Sequence, residues 1–332
     1  MMASKFRAWM TLSLTALALV AAASWVAWSR WMDGSWSSES VTVELMPGTT
    51  LEERRHSLES QLPEGGERLM EHLALRGWEE RLKPGRYVFP AHESVRTSAT
   101  RLVTGQREAV NVVVPAGRDV GPVAGTSTRR ILADSAEVAT MFMADSMMWR
   151  VLPNTYEMWW ETEAIGLAKR LVREHEAWWN EDRQAAARAQ GLTPREATIL
   201  ASIVQAETAV IGEAPQVAGL YLNRLKKGMA LQADPTLIFA LGDPSIRRVL
   251  DVHKDVDSPY NTYKHRGLPP GPIRFVDPRY LQSVLHPAEH KYLYMCAKPG
   301  GEGTHDFAKS YREHLRNAKA YQAWLNRQRI YR

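Results

Sequence analysis

One cysteine, Cys296, stands in 332 residues. That excludes an intrachain disulfide and any zinc site built from several thiolates, and it leaves the redox compartment open. The chain also lacks a glycine-rich phosphate loop, a G-x-S-x-G turn, an internal repeat and a low-complexity segment. Nucleotide-cradling and serine-hydrolase chemistry therefore have no motif to rest on. Lys and Arg (42) barely outnumber Asp and Glu (37) and are scattered along the chain. A nucleic-acid interface would need a basic patch, so no nucleic-acid partner is expected. The apolar fraction (45%) and charged fraction (24%) are those of a globular protein of a length suited to two modest domains.

Long uncharged runs are also scarce, and the one present is informative. Residues 8–29 carry no charge; Lys5 and Arg7 precede them and Arg30 closes the run. Its length suits a bilayer-crossing helix, and Trp9, Trp25, Trp28 and Trp31 lie near its ends, where indoles favour the interface. The expectation is a single-pass anchor within residues 1–32, with a cytoplasmic N-terminus and the body exported. A cleaved signal peptide ending near Ala21-Ala22-Ala23 is the rival; the apolar stretch continues past it through Trp25, Val26 and Trp28.

Residues 33–40 read as a polar tether. Alternation predicts strands at 41–45 and 86–89, the second after a Lys83-Pro84-Gly85 turn, and at 110–114, stopped by Pro115. With helices at about 50–61, 66–76 and 94–104 they make a small α+β module, residues 41–116. The remainder, 117–332, is expected to be a mixed α+β domain. It has a loop at 152–156, one long helix at about 162–190, helices at 194–208 and 214–227, and loops at 232–236 and 258–273. A strand at 292–295 and a helix at about 307–327 close it.

Within that domain Glu207 is out of place. Thr193 and Glu196 form a capping-box pattern with Pro194 at the first helical position, and Leu200, Ile203 and Val204 repeat at helical spacing. Glu207 falls seven residues after Leu200, on the same stripe. Burial and the negative end of a helix both disfavour a carboxylate, and a raised pKa makes a general acid. A Glu on an apolar stripe also serves as partner to a buried Arg, and periodicity alone leaves both readings open. The Ser258-Pro259-Tyr260-Asn261-Thr262-Tyr263 and 267–273 loops combine rings, amides and hydroxyls that suit a sugar, or simply a proline-braced connector. His286-Pro287-Ala288-Glu289-His290 has the H-x-x-E-H spacing of zinc peptidases, but Pro287 and the β-rich run that follows leave little helix to carry it. Asp234 before Pro235 reads more simply as a turn.

Together the motifs form a recognisable order. Ala201-Ser-Ile-Val-Gln-Ala-Glu-Thr208, Val217-Ala-Gly-Leu-Tyr-Leu-Asn-Arg-Leu225 and Leu231-Gln-Ala-Asp-Pro-Thr236 resemble the endolytic murein transglycosylase family (MltG, or YceG-like). So do the two loops above, His305-Asp-Phe307 and Glu313-His314. The pattern is most similar to the form found in Bacteroidetes-type bacteria. Gln205 and Asn154 depart from residues common in the family, and Val114-Pro115-Ala116-Gly117 lacks the glutamate common before that glycine.

The resemblance implies an inner-membrane lyase, with 41–116 a LysM-like module and 117–332 the catalytic domain. It would cut the MurNAc–GlcNAc bond inside nascent peptidoglycan strands, form 1,6-anhydro-MurNAc and terminate elongation. Glu207 falls on the family's catalytic acid. Asn223, Gln232, Tyr260, Asn261, Tyr263 and His305 are candidates for binding the sugar. No metal or cofactor is implied, and glycan-polymerising penicillin-binding proteins are the implied partners. The competing expectation is a non-catalytic, membrane-tethered peptidoglycan-binding scaffold.

Overall fold

In a computed structural model, residues 2–144, 146–243, 246, 249–300 and 303–328 are described, with side chains from residue 14 onward. The chain is α+β and divides into two units: 1–111 with 130–132 and 157–162, and 112–129 with 133–156 and 163–332.

The first unit begins with α1 (Met2–Asp33). Among the described residues no helix is long and apolar enough to cross a membrane. The side chains of Lys5, Arg7 and Trp9, and those of the first part of the expected span, lie outside the described residues. Leu14, Leu17, Leu19, Val20 and Trp25 all stand exposed on α1. There follow β1 (Val41–Leu45), α2 (Leu51–Gln61), α3 (Glu67–Leu75), β2 (Gly85–Phe89), α4 (Val95–Thr104) and β3 (Ala109–Val114). β1 and β2 pair antiparallel, from Val41 opposite Phe89 to Leu45 opposite Gly85. The inward residues of that ribbon, Val43, Leu45, Tyr87 and Phe89, pack on Leu58, Leu69, Leu73 and Leu102. A two-stranded ribbon is marginal in water, so this helical cover supplies most of its stability.

The division between units falls within β3 and within β4 (Asn154–Trp159). In the second unit lie α5 (Val120–Thr128), α6 (Ser135–Met143), α7 (Ala164–Trp178), α8 (Glu181–Ala189), α9 (Pro194–Glu207) and α10 (Ala214–Lys226). α11 (Asp234–Leu241), α12 (Pro278–Leu285), β5 (Tyr294–Ala297), β6 (His305–Ala308) and α13 (Tyr311–Arg327) complete it. α9 runs through the core: every residue from Ala197 to Val204 is buried, packed with Val217, Leu220 and Tyr221 of α10 and Leu281 and Val284 of α12. Gly219 lets α10 lie against the 288–290 segment, because a Cβ there would sit 2.5 Å from the Ala288 carbonyl oxygen.

Four local expectations change. Residues 154–156 belong to a strand instead of a loop. The expected long helix is two, because the backbone leaves helical geometry at Trp179 (ψ 61°) and Asn180 caps α8 by accepting from Arg183 N. Asp234 opens a helix, with Pro235 in its first turn, where the missing N–H costs nothing. The last strand is displaced to Tyr294–Ala297 and finds a partner, β6, with Tyr294 opposite Ala308 and Ala297 opposite His305.

Candidate active site

The capping box read from the sequence forms: Thr193 Oγ1 accepts from Glu196 N, and Glu196 Oε2 accepts from Thr193 N at 2.8 Å. It sets the start of α9 and hence the phase with which Glu207, its last residue, leaves the core. Glu207 emerges, partly buried, on the wall of a pocket of about 350 Å³ in the second unit. α10 sends Tyr221 and Arg224, one turn apart, to the same wall, with Asp234 from the start of α11 and Gln232 and Tyr263 from loops. β5 contributes Tyr294, Met295, Cys296 and Ala297, β6 gives His305, and α13 gives Tyr311 and His314.

Burial pushes the Glu207 carboxyl up from its ordinary value of 4.5 to about 7. A hydrogen bond from the Tyr221 hydroxyl to Glu207 Oε1, 2.6 Å long, opposes this. The Asp234 carboxylate reinforces the rise, and His305 and Arg224 work against it. Near neutral pH the group thus stands ready both to give and to take a proton. Tyr221 is itself buried and its hydroxyl is pushed well up, so it stays a donor.

Arg224 is buried with no salt-bridge partner among the described residues. Its guanidinium donates to the carbonyls of Leu293 (2.6 Å), Leu231 (2.7 Å) and Ala230 (3.3 Å). One side chain thereby joins the entrance to β5 to the segment before α11. Gln232 sits in that segment with φ of 50°, left-handed and unusual for a residue with a Cβ. Its backbone N–H is held by Thr262 O at 3.0 Å. Such strain persists only where surroundings impose it, and it is often found at working sites. Across the pocket lining, Tyr263 Oη donates to Asp234 Oδ1 at 2.5 Å. His305 is fixed twice by the buried Glu213: its backbone N–H donates to Oε1 (2.6 Å) and its Nδ1 meets Oε2 at 2.9 Å.

Of the residues singled out in the sequence, Glu207, Gln232, Tyr263 and His305 meet in one pocket. Asn223, Tyr260 and Asn261 do not line it. Asn223, two residues after Tyr221, falls on another side of α10 and donates to the carbonyls of His290 (2.8 Å) and Tyr292 (3.2 Å). Tyr260 packs its ring on Phe239, and its hydroxyl lies over Gly271, where a Cβ would approach to 2.7 Å. Asn261 is buried, ties Lys254 O and Val256 O, and accepts from Tyr263 N at 3.0 Å, so it bears on the pocket only by placing Tyr263. Gln205 accepts from Asp277 N at 2.9 Å and is not among the lining residues. Both ring nitrogens of His290 are engaged, Nδ1 by Tyr292 N and Nε2 with Gln216 O. Among the described residues no group of three or more metal-ligating side chains is assembled.

Four residues of this arrangement escaped the sequence reading. Arg224 had a signal, a charge amid Leu220, Leu222 and Leu225, of the same kind that marked Glu207. Tyr221 is hydrophobic enough to pass as core, which it also is. Glu213 lies ninety-two residues from its partner His305, and Tyr294 meets Arg224, Tyr311 and His314 from other elements of the fold.

The Tyr221 hydroxyl yields a directional prediction. Because its hydrogen bond stabilises the ionised form of Glu207, Tyr221→Phe raises the Glu207 pKa further. Any activity that needs the protonated acid then keeps going to higher pH, its alkaline limb displaced upward by up to about one pH unit. A pH–rate profile of kcat for both proteins measures this; a limb displaced downward would reject the assignment.

The sequence profile of the YceG-like family matches residues 43–320. A Bacillus subtilis (strain 168) protein named endolytic murein transglycosylase is 40% identical over 122 residues, 37% of this chain and 33% of that protein. One of the same name from Streptococcus pneumoniae serotype 2 (strain D39) is 31% identical over 134 residues, 39% of this chain and 24% of its own length. The matched segments thus span a third or less of these curated relatives. A crystal structure of a YceG-like protein from Listeria monocytogenes shares the fold, with a TM-score of 0.50 at 23% identity over 84% of this chain and 99% of that one. Since the profile takes in nearly everything from β1 to within α13, the chain belongs to the YceG-like family.

Proposed function

We propose that the protein is an endolytic murein transglycosylase with Glu207 as its general acid and base. The observation that carries this reading is the Glu207 carboxyl on a pocket wall, raised to about 7 and held by Tyr221. Curated relatives bearing that name support it.

Protonated Glu207 gives its proton to the oxygen bridging MurNAc C1 and GlcNAc, and the C1–O bond breaks with charge developing at C1. The carboxylate left behind takes the proton of the muramic C6 hydroxyl, whose oxygen bonds to C1 and closes the 1,6-anhydro ring. One carboxyl serves both steps in turn, and water is not consumed. A hydrolase would need a second carboxylate as base or nucleophile. Gln232 and Tyr263 are proposed to hold the sugar, and His305, fixed by Glu213, to stabilise the reacting end.

Residues 41–116 are proposed as a LysM-like module and 117–332 as the catalytic domain. Residues 8–29 of α1 are proposed as an anchor that keeps the body outside the cytoplasmic membrane, an assignment that draws on the apolar side chains exposed along α1.

The test is to incubate the full chain with uncrosslinked glycan strands and weigh the products. Fragments lighter by one water than hydrolytic ones, arising from within strands, are expected. Reducing-end products would reject the transglycosylase and turn attention to Asp234 as a second carboxylate, and intact strands would leave the scaffold.

A further inference from the structure

Three ring-bearing side chains line the pocket without a part in these proton transfers: Tyr294 on β5, and Tyr311 and His314 on α13. They touch pairwise. Tyr294 and His314 stack with centroids 5.6 Å apart and planes at 26°, Tyr294 lies 5.8 Å from Tyr311, and Tyr311 lies 6.1 Å from His314. The backbone accounts for this grouping. Tyr311 and His314 are three apart in the first turn of α13, and so share a face. Ser310 caps that helix by accepting from Glu313 N at 3.2 Å. The Arg224 guanidinium lies 5.4 Å over the Tyr294 ring and steadies the cluster at its base.

Two features are wrong for ordinary packing. Tyr311 is 59% exposed, although an aromatic side chain gains most by burial. His314 Nδ1 is buried and has no hydrogen-bond partner among the described residues, a cost that a native structure rarely leaves uncompensated. Burial, with Arg224 nearby, holds the imidazole below its ordinary range, so near pH 7 it is neutral, with one nitrogen donating and the other accepting. Arg224 is committed to backbone carbonyls, so the cluster is not an anion site built around a free cation. A ligand that suits it has an apolar C–H face to lie on the rings and hydroxyl or amide groups at its edge.

We propose that Tyr294, Tyr311 and His314 form a stacking subsite for one pyranose ring of the glycan, beside the bond that Glu207 protonates. This rests on the glycan-cleaving reading of the pocket. The partial negative charge of the ring faces meets the sugar's C–H hydrogens. The subsite contributes to holding the strand and takes no proton in the reaction.

Tyr311 is the residue to change, because it is exposed and its loss leaves the core intact. In the full chain acting on uncrosslinked glycan strands, Tyr311→Ala is expected to raise KM about 10-fold with kcat nearly kept, the scale of one lost aromatic face. Tyr311→Phe, which keeps the ring, should lose far less, and Tyr311→Leu, which keeps only apolar bulk, should resemble Ala. Tyr321→Ala, on the same helix and outside the pocket lining, is the control and should leave KM where it was. Strand cleavage by the parent with an unchanged KM for Tyr311→Ala, or equal rescue by Leu and Phe, would overturn the subsite alone. A parent that leaves strands intact would instead sink the cleavage reading on which the subsite depends.

Discussion

Glu207→Gln is expected to abolish strand cleavage, lowering kcat by about 10³-fold or more, while the protein stays folded. The amide keeps the size of the side chain and an oxygen to accept from Tyr221, but it can neither give nor take the proton. The same substitution should make the fold more stable, and the sign depends on pH. In the native state the Glu207 pKa is about 7, above the ordinary 4.5, so the native protein holds this proton more tightly than the unfolded chain. Below about pH 4.5 both states are protonated and the site costs nothing. As pH rises from 4.5 to 7 the cost of an ionised, mostly enclosed carboxylate develops, and above about 7 it is fully present. It is at most about 3 kcal/mol. Thermal unfolding of the two proteins at pH 8 and pH 4 measures it: the Gln variant should melt higher at pH 8 and together with the parent at pH 4. An equal melting temperature at both values would mean that Glu207 is not perturbed, and the acid–base assignment would fall with it. Loss of activity joined to a gain in stability separates a working group from a structural one, because a carboxyl retained for packing would be missed by the fold.

Arg224→Ala is expected to have the opposite profile, a large loss of stability with activity lost as a consequence. Its guanidinium donates to three backbone carbonyls from two separate segments of the pocket wall. Removing it takes a donor from one buried acceptor, Leu231 O, and from two partly buried ones, at about 3–5 kcal/mol in total. Arg224→Lys should recover less than roughly half, because an ammonium cannot reproduce the planar fork that reaches Leu293 and Leu231 together. Urea unfolding followed by the aromatic signal of the second unit is the measurement. The two units need not unfold together, so the transition to compare is the one that carries the α9–α10–α12 core. A loss below about 1 kcal/mol for the Ala variant would show that solvent replaces the guanidinium and that the pocket wall does not depend on it.

How much of this was legible beforehand depended on how local each signal is. The capping box at Thr193 and Glu196 is a contact between residues three apart, so the sequence contains it entire, and the phase of α9 follows. That phase is why Glu207 stood out and why the pocket is where the helix ends. The helical break at Trp179-Asn180 is not legible in the periodicity, which continues on either side; the Asn180 capping bond outweighs it. Among the candidate sugar-binding residues, the loop from 258 to 263 has the composition of a recognition site throughout, yet Tyr260 and Asn261 turn inward as braces and only Tyr263 faces the pocket. Side-chain direction in an irregular loop follows from what the loop packs against, which composition does not encode.

The amino-acid sequence by itself determined the α+β character, the family and the one carboxyl out of place on an apolar helix face. These rest on period, caps, turns and spaced motifs, all of them short-range. Only the tertiary structure decided what surrounds that carboxyl. The Tyr221 hydroxyl on its oxygen, Glu213 behind His305, Arg224 across two segments and the ring cluster of Tyr294, Tyr311 and His314 join residues that the chain holds far apart. A pKa near 7 is a property of that enclosure: the same Glu on an isolated helix would sit in water and titrate as an ordinary acid.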